Sequence, residues 1–99
     1  MKTFKMLDIS TGHLPLSDIQ LLENNGDLSF TCSPYLEGFI ISLSLFTSAP
    51  PQVTYLIWEH KRFSPEFFKI IERALEEECT HINFDRDGEE YEEFQKFDW

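Results

Sequence analysis

The chain has little of what builds a covalent or metal framework. Its 99 residues hold two cysteines, Cys32 and Cys79, forty-seven positions apart with no second cysteine near either. That spacing gives neither a zinc ribbon nor a redox pair, and two buried thiols are expected. Bases are also scarce: eight Lys and Arg stand against eighteen Asp and Glu, for a net charge of −10 and a pI of about 4.5. This argues against direct nucleic-acid binding, whose affinity comes mainly from cations neutralising phosphates. No apolar run is long. The longest, Phe39 to Phe46, contains Ser42 and Ser44 and falls far short of the roughly 20 residues needed to cross a bilayer, so no membrane span is expected. Met1 to Ser10 has no basic leader followed by an apolar stretch and a cleavage site, which points to the cytoplasm. There is no internal repeat.

What is present is enough for one core. Hydrophobic residues make up 41% of the chain, with ten Phe, and 99 residues divided between two cores would leave each below the size that folds unaided. A single α+β domain over 1–84 is expected, followed by an acidic, aromatic segment over 85–99 that is either docked or flexible. The charge is local. Ten of the eighteen carboxylates lie between Glu76 and Trp99, opposed there only by Arg86 and Lys96, while the first seventy-five residues carry eight acids and six bases. A field of one sign concentrated in this way serves binding, repulsion or solubility.

Phe4 to Ile9 reads as a largely buried strand. Leu16-Ser17-Asp18-Ile19-Gln20-Leu21 has the pattern of a capping box with Ser17 as N-cap and a hydrophobic staple between Leu16 and Leu21, predicting a short helix from Asp18 to the Asn24-Asn25-Gly26 stop. Leu28, Phe30 and Cys32 alternate with polar residues, as do Phe39, Ile41, Leu43 and Leu45. The two runs predict an antiparallel hairpin with Pro34 in its connection. Val53 to Trp58 predicts a further central strand. Ser64-Pro65-Glu66 opens a long helix, with Phe67, Phe68, Ile71, Ala74, Leu75 and Cys79 on one face. His81 to Phe84 predicts a last strand. The order β-α-β-β-β-α-β gives a two-layer α+β fold, a mostly antiparallel sheet of four to five strands carrying two helices.

Asp8-Ile9-Ser10-Thr11-Gly12-His13-Leu14-Pro15 near the start, and Phe84-Asp85-Arg86-Asp87-Gly88 with Phe97-Asp98-Trp99 at the end, resemble a family of small bacterial proteins of unknown function. The resemblance spans the chain, except that Phe46 to Phe63 is longer and holds an extra apolar strand. It implies a setting on plasmids and other mobile elements and brings no activity with it.

No catalytic constellation stands out, so a non-enzymatic protein without a cofactor is expected. Asp85-Arg86-Asp87-Gly88 follows a strand and could offer Asp85 and Asp87, with Glu89, to a hard cation; a plain acidic turn is the commoner outcome. Asp8, Ser10 and His13 have the residue types of a hydrolytic triad, but triads are defined by geometry, and small polar residues in a strand-to-helix connection usually satisfy backbone groups. His13 is the histidine to mutate first. Cys79 and His81, with Cys32 or His60, have no diagnostic zinc spacing. In the C-terminal segment Glu89, Glu90, Glu92 and Glu93 alternate with Tyr91 and Phe94. Either the aromatics dock on the domain and the acids face water, or Tyr91, Phe94 and Trp99 anchor a partner and the acids form a rim complementary to a basic protein surface. The latter reading, joined to the mobile-element resemblance, extends to an inhibitor that covers the nucleic-acid channel of a host defence complex. Two alternatives remain beside it: a metal-binding domain or metal-dependent enzyme using Asp85 and Asp87, and an accessory scaffold that dimerises through a strand edge and uses its acids only for solubility.

Overall fold

The computed structural model describes residues 4–24, 32–44, 46 and 63–98. Four strands, β1 (Met6–Ser10), β2 (Cys32–Tyr35), β3 (Gly38–Ser42) and β4 (His81–Asp85), form a sheet in the order β1-β4-β3-β2. β1 runs parallel to β4, whereas β3 runs antiparallel to β4 and β2 antiparallel to β3. The fold is α+β with a mixed sheet. The register explains the core. Ile9, Phe84 and Phe39 form one row across three strands, and Leu7, Ile82, Ile41 and Cys32 form another across all four. Period-two alternation in each strand thus becomes a continuous apolar face. The other face is mostly polar, with Asp8, Asn83, Ile40 and Ser33 in one row and Asp85, Gly38 and Tyr35 in the next. β1 is therefore one-sided rather than largely buried: Ile9 is in the core, and Met6 is exposed.

Helix α1 (Leu16–Glu23) and helix α2 (Pro65–Glu76) both contribute to this core. α2 starts as expected, with Ser64 accepting from the Phe67 amide (3.3 Å) and Pro65 in the first turn. Its buried face carries Phe67, Phe68, Ile70, Ile71 and Ala74, and the Phe67 ring lies between Phe63 (4.3 Å) and Phe84 (6.2 Å). Ile70 belongs to this face although the helical spacing did not single it out.

α1 departs from expectation at its start. Its N-cap is Pro15, without a side-chain cap bond, and Ser17 lies inside the first turn, so the capping box does not form. Leu16 is 44% exposed and makes no staple. The reason lies in Asp18, which is fully buried and accepts from both the amide and the hydroxyl of Ser64. One carboxylate thus ties the starts of the two helices together, and the tertiary bond overrides the local motif. Burial pushes the Asp18 carboxyl up, against the two bonds from Ser64 that pull it down. At the far end Asn24 stops α1 by donating to the Gln20 carbonyl from its backbone and its side chain and is not itself left-handed, while Asn25 and Gly26 of the expected stop lie outside the described residues.

The hairpin is present with a tighter connection than the expected Ser33 to Gly38. β2 runs through Pro34 to Tyr35, and the turn is Leu36-Glu37 alone. Among the described residues β2 is the border strand of the sheet, where a missing amide hydrogen removes little, so Pro34 is tolerated there. Gly38 opens β3 because a Cβ there would lie 1.8 Å from the Phe84 carbonyl oxygen. The expected positions Leu28, Phe30 and Leu45, and the whole strand over Val53 to Trp58, lie outside the described residues.

Replacing Asp18 by Ala should lower stability by about 2–3 kcal/mol, since it strips two bonds from a buried helix start. Asp18→Asn, which keeps an acceptor, should cost less. Urea denaturation reads both, and a loss below about 0.5 kcal/mol for Asp18→Ala would show that α2 does not depend on this tie.

Candidate partner-binding surface

Beyond β4 the chain turns sharply. Asp85 accepts from the Asp87 amide (2.8 Å) through one carboxylate oxygen and from the Tyr35 hydroxyl (2.7 Å) through the other, and its carbonyl accepts from the Gly88 amide (2.9 Å). The Asp87 amide, the Tyr35 hydroxyl and the nearby Arg86 hold the Asp85 carboxyl below its ordinary range, and burial with the Asp85 bond pushes the Tyr35 hydroxyl up to about 12. Gly88 is needed for contact: a Cβ there would come within 2.6 Å of the Ile9 carbonyl. The Asp-Arg-Asp-Gly run is thus a strand-end turn pressed against β1. Both oxygens of Asp85 are engaged, and among the described residues no three His, Cys, Asp or Glu side chains gather as a metal ion would require.

From Glu89 onward the chain lies as a strap across the end of β1 and the 3-10 turn at Thr11–His13. It forms turns rather than a helix. The Ser10 amide donates to the Glu89 carbonyl (2.8 Å), the Phe97 amide to the Gly12 carbonyl (2.8 Å) and the Tyr91 hydroxyl to the Asp8 carbonyl (2.8 Å). Between these ties sits His13, only 1% exposed. Its Nε2 accepts from the Tyr91 amide (2.9 Å) and its Nδ1 donates to the Gln95 carbonyl (2.9 Å). An amide has only a hydrogen to give and a carbonyl only lone pairs, so these two partners select the neutral Nδ1–H tautomer. The rings of Tyr91 and Phe94 pack around the imidazole and against the core, with Phe94 edge-on to His13 at 5.7 Å.

The placement of each candidate follows. His13 has both ring nitrogens occupied by backbone, Ser10 accepts from the Gly12 amide, and the Asp8 carboxylate meets Asn83, so the three are not joined as a triad. Cys32 is half-buried, with its thiol donating to the Leu22 carbonyl (3.9 Å), and Cys79 is buried. Burial pushes Cys32 up to about 11, and His60 lies outside the described residues. Tyr91 and Phe94 are half-buried on the chain's own domain, while Glu89, Glu90, Glu92 and Glu93 are exposed. Trp99 lies outside the described residues.

Arg73 was not foreseen as part of this surface. From α2 its guanidinium reaches Glu76 (3.1 Å), Glu77 (3.3 Å) and Glu93 (3.4 Å). It joins two acidic runs that are separate in sequence, and those carboxylates hold the guanidinium above its ordinary range. Glu90 pairs with Lys96 at 2.7 Å. Glu89 and Glu92 have no ion pair among the described residues. At the end of α2, Glu78 adopts a left-handed backbone (φ 59°), with its amide bonded to the Leu75 carbonyl and the Cys79 amide to Ala74. This is the helix stop that glycine favours, occupied here by a glutamate. The only sequence signal for it was the triple-glutamate run itself.

His13→Ala should leave the Tyr91 amide and the Gln95 carbonyl unpaired, and Gly88→Ala should push the strap off Ile9. Each should speed hydrogen exchange at the Tyr91 and Phe97 amides by roughly tenfold or more while the β4 amides stay protected. Unchanged exchange in both variants would contradict this account of how the strap is held.

No curated protein sequence and no solved structure matches the chain. Residues 6–99, a span that takes in the sheet, His13 and the whole of the strap, match the model of a family described as "Family of unknown function (DUF5983) C-terminal domain". The chain therefore belongs to the DUF5983 family of unknown function, matching its C-terminal domain.

Proposed function

We propose that this protein is a non-enzymatic acidic binding module, acting in the cytoplasm, that recognises a basic protein surface through the face where the end of α2 meets the C-terminal strap. One observation carries the reading: Arg73 gathers Glu76, Glu77 and Glu93 onto one surface, beside a strap whose other acids point to water. This charge sits where it opposes stability. Glu76, Glu77 and Glu78 crowd the negative end of the α2 dipole, and Glu78 takes a backbone conformation that disfavours side chains. Local rules broken with only partial local compensation, here from Arg73 and Lys5, are the mark of a surface shaped for something other than folding.

In such a complex the carboxylates occupy the positions of phosphates, and the fitting target is a nucleic-acid-binding surface. The mobile-element setting implied by the terminal motifs extends the proposal to an inhibitor that covers such a surface on a host defence protein. Among the described residues no helix is long and apolar enough to cross a membrane.

Glu89→Lys with Glu92→Lys reverses charge while leaving every partner of the exposed Glu90–Lys96 and Glu93–Arg73 pairs in place, so it weighs on recognition more than on stability. A basic partner captured by the native chain near 50 mM salt should be lost by this variant, and its affinity for the native chain should fall about tenfold or more toward 500 mM. Capture indifferent to both would overturn the electrostatic reading.

A further inference from the structure

Among the buried polar side chains of the described residues, His13 is the one whose type changes charge near neutral pH. Its site accepts one charge state only. The Tyr91 amide can only donate, so Nε2 keeps its lone pair, and the Gln95 carbonyl can only accept, so Nδ1 keeps its proton. A second proton on the ring has one place to go. On Nε2 it would face the Tyr91 amide hydrogen across a nitrogen–nitrogen distance of 2.9 Å, in a site almost closed to water. Neighbouring charge does not relieve this conflict. The cleft of about 120 Å³ beside the ring is lined by Ser10, Gly12, Glu90, Lys96 and Phe97, and neither helix reaches it. Glu90, the acid that would favour a charged ring, is paired with Lys96 at 2.7 Å, which holds its carboxyl below the ordinary range. On the β1 side, the Ser10 hydroxyl accepts from the Gly12 amide and the Asp8 carboxylate accepts from Asn83. The Tyr91 phenol donates to the Asp8 carbonyl. Burial, with Glu89, Asp8, Cys79 and Glu93 nearby, holds that phenol above its ordinary range, so it stays neutral throughout.

We propose that the strap is a proton-released latch, closed over neutral His13 and freed when the imidazole takes up a second proton. An opened strap exposes the ring to water, where an imidazole titrates near about pH 6.5. Opening therefore binds a proton that the closed strap does not hold. The closed form is favoured in full above about pH 6.5, and its advantage falls by up to about tenfold for each pH unit below. Release frees together what the strap ties: the Ser10 amide and Asp8 carbonyl on β1, a border strand of the sheet, and Glu93 from its place beside Arg73. The latch does not rest on the acidic-surface reading. Where that reading also holds, mild acid dismantles the surface through its scaffold while the glutamates are still charged, because carboxylates titrate about two units lower.

The test is hydrogen exchange of the intact chain between about pH 7.5 and 5.5, with the intrinsic pH dependence of exchange divided out and the His13 ring nitrogens followed in the same samples. Protection of the Tyr91 and Phe97 amides should fall by about tenfold across this window while the β4 amides stay protected. His13→Gln keeps a polar side chain that does not titrate, so protection in the strap, at whatever level that variant shows, should stay constant over the same range. Constant protection in the native chain would overturn the latch. So would an equal fall in His13→Gln, which would assign the opening to carboxylates. The native ring gives a reading that does not depend on how well the variant closes: a proton on Nε2 while Tyr91 and Phe97 remain protected would also overturn the proposal.

Discussion

The two ring nitrogens of His13 fix the course of the last part of the chain. A buried imidazole with an amide on one side and a carbonyl on the other has a single acceptable protonation pattern, and both partners belong to the strap. The turn at Gly88 delivers the strap to that ring, and the Glu89, Tyr91 and Phe97 bonds hold it along β1 and the following turn. Without this clasp the acids of residues 89–93 would be a solvated tail, and their pairing with Arg73 on α2 would have no fixed geometry. With it, local carboxylates become a surface of defined shape. Order in the strap comes from backbone hydrogen bonds, the His13 ring and the Tyr91 and Phe94 side chains, so the glutamate side chains remain outside.

The arrangement runs against local preference in the same region that carries the charge. Glutamates accumulate at the helix end where cations are favoured, and Lys5 must come from β1's approach to cover the Glu77 carbonyl. Arg73 offsets part of the crowding, and Lys96 neutralises Glu90, but these pairs are exposed and individually worth little. The stability of the domain comes instead from the apolar rows of the sheet and the stack of Phe63, Phe67 and Phe84. A core that does not depend on surface charge leaves that charge free for recognition.

Much of this was legible in the residues and some was not. The alternation in β3 and β4 and the Ser64-Pro65 start of α2 gave those elements directly, because period and capping are local properties. Ser17 misled because the decisive bond of its neighbour Asp18 goes to Ser64, forty-six positions away, and no local motif encodes that. Pro34 was expected in the connection of the hairpin, whereas it lies in β2, the border strand of the sheet among the described residues. His13 was singled out as a residue to test, yet its partners are backbone atoms of Tyr91 and Gln95, which leave no trace in side-chain identity. Gly88 likewise read as part of a cation loop, and only the closeness of Ile9 shows why a glycine stands there. The acidic surface was visible as composition; its assembly through Arg73 needed the fold.

The most direct measurement is nitrogen-15 NMR of the His13 ring in the intact protein. The account predicts a protonated Nδ1, a bare Nε2, and a through-bond coupling between that Nε2 and the Tyr91 amide. An Nε2–H tautomer, or a ring averaging between the two forms, would mean that the strap is not clasped as described and that its acids do not form a fixed surface.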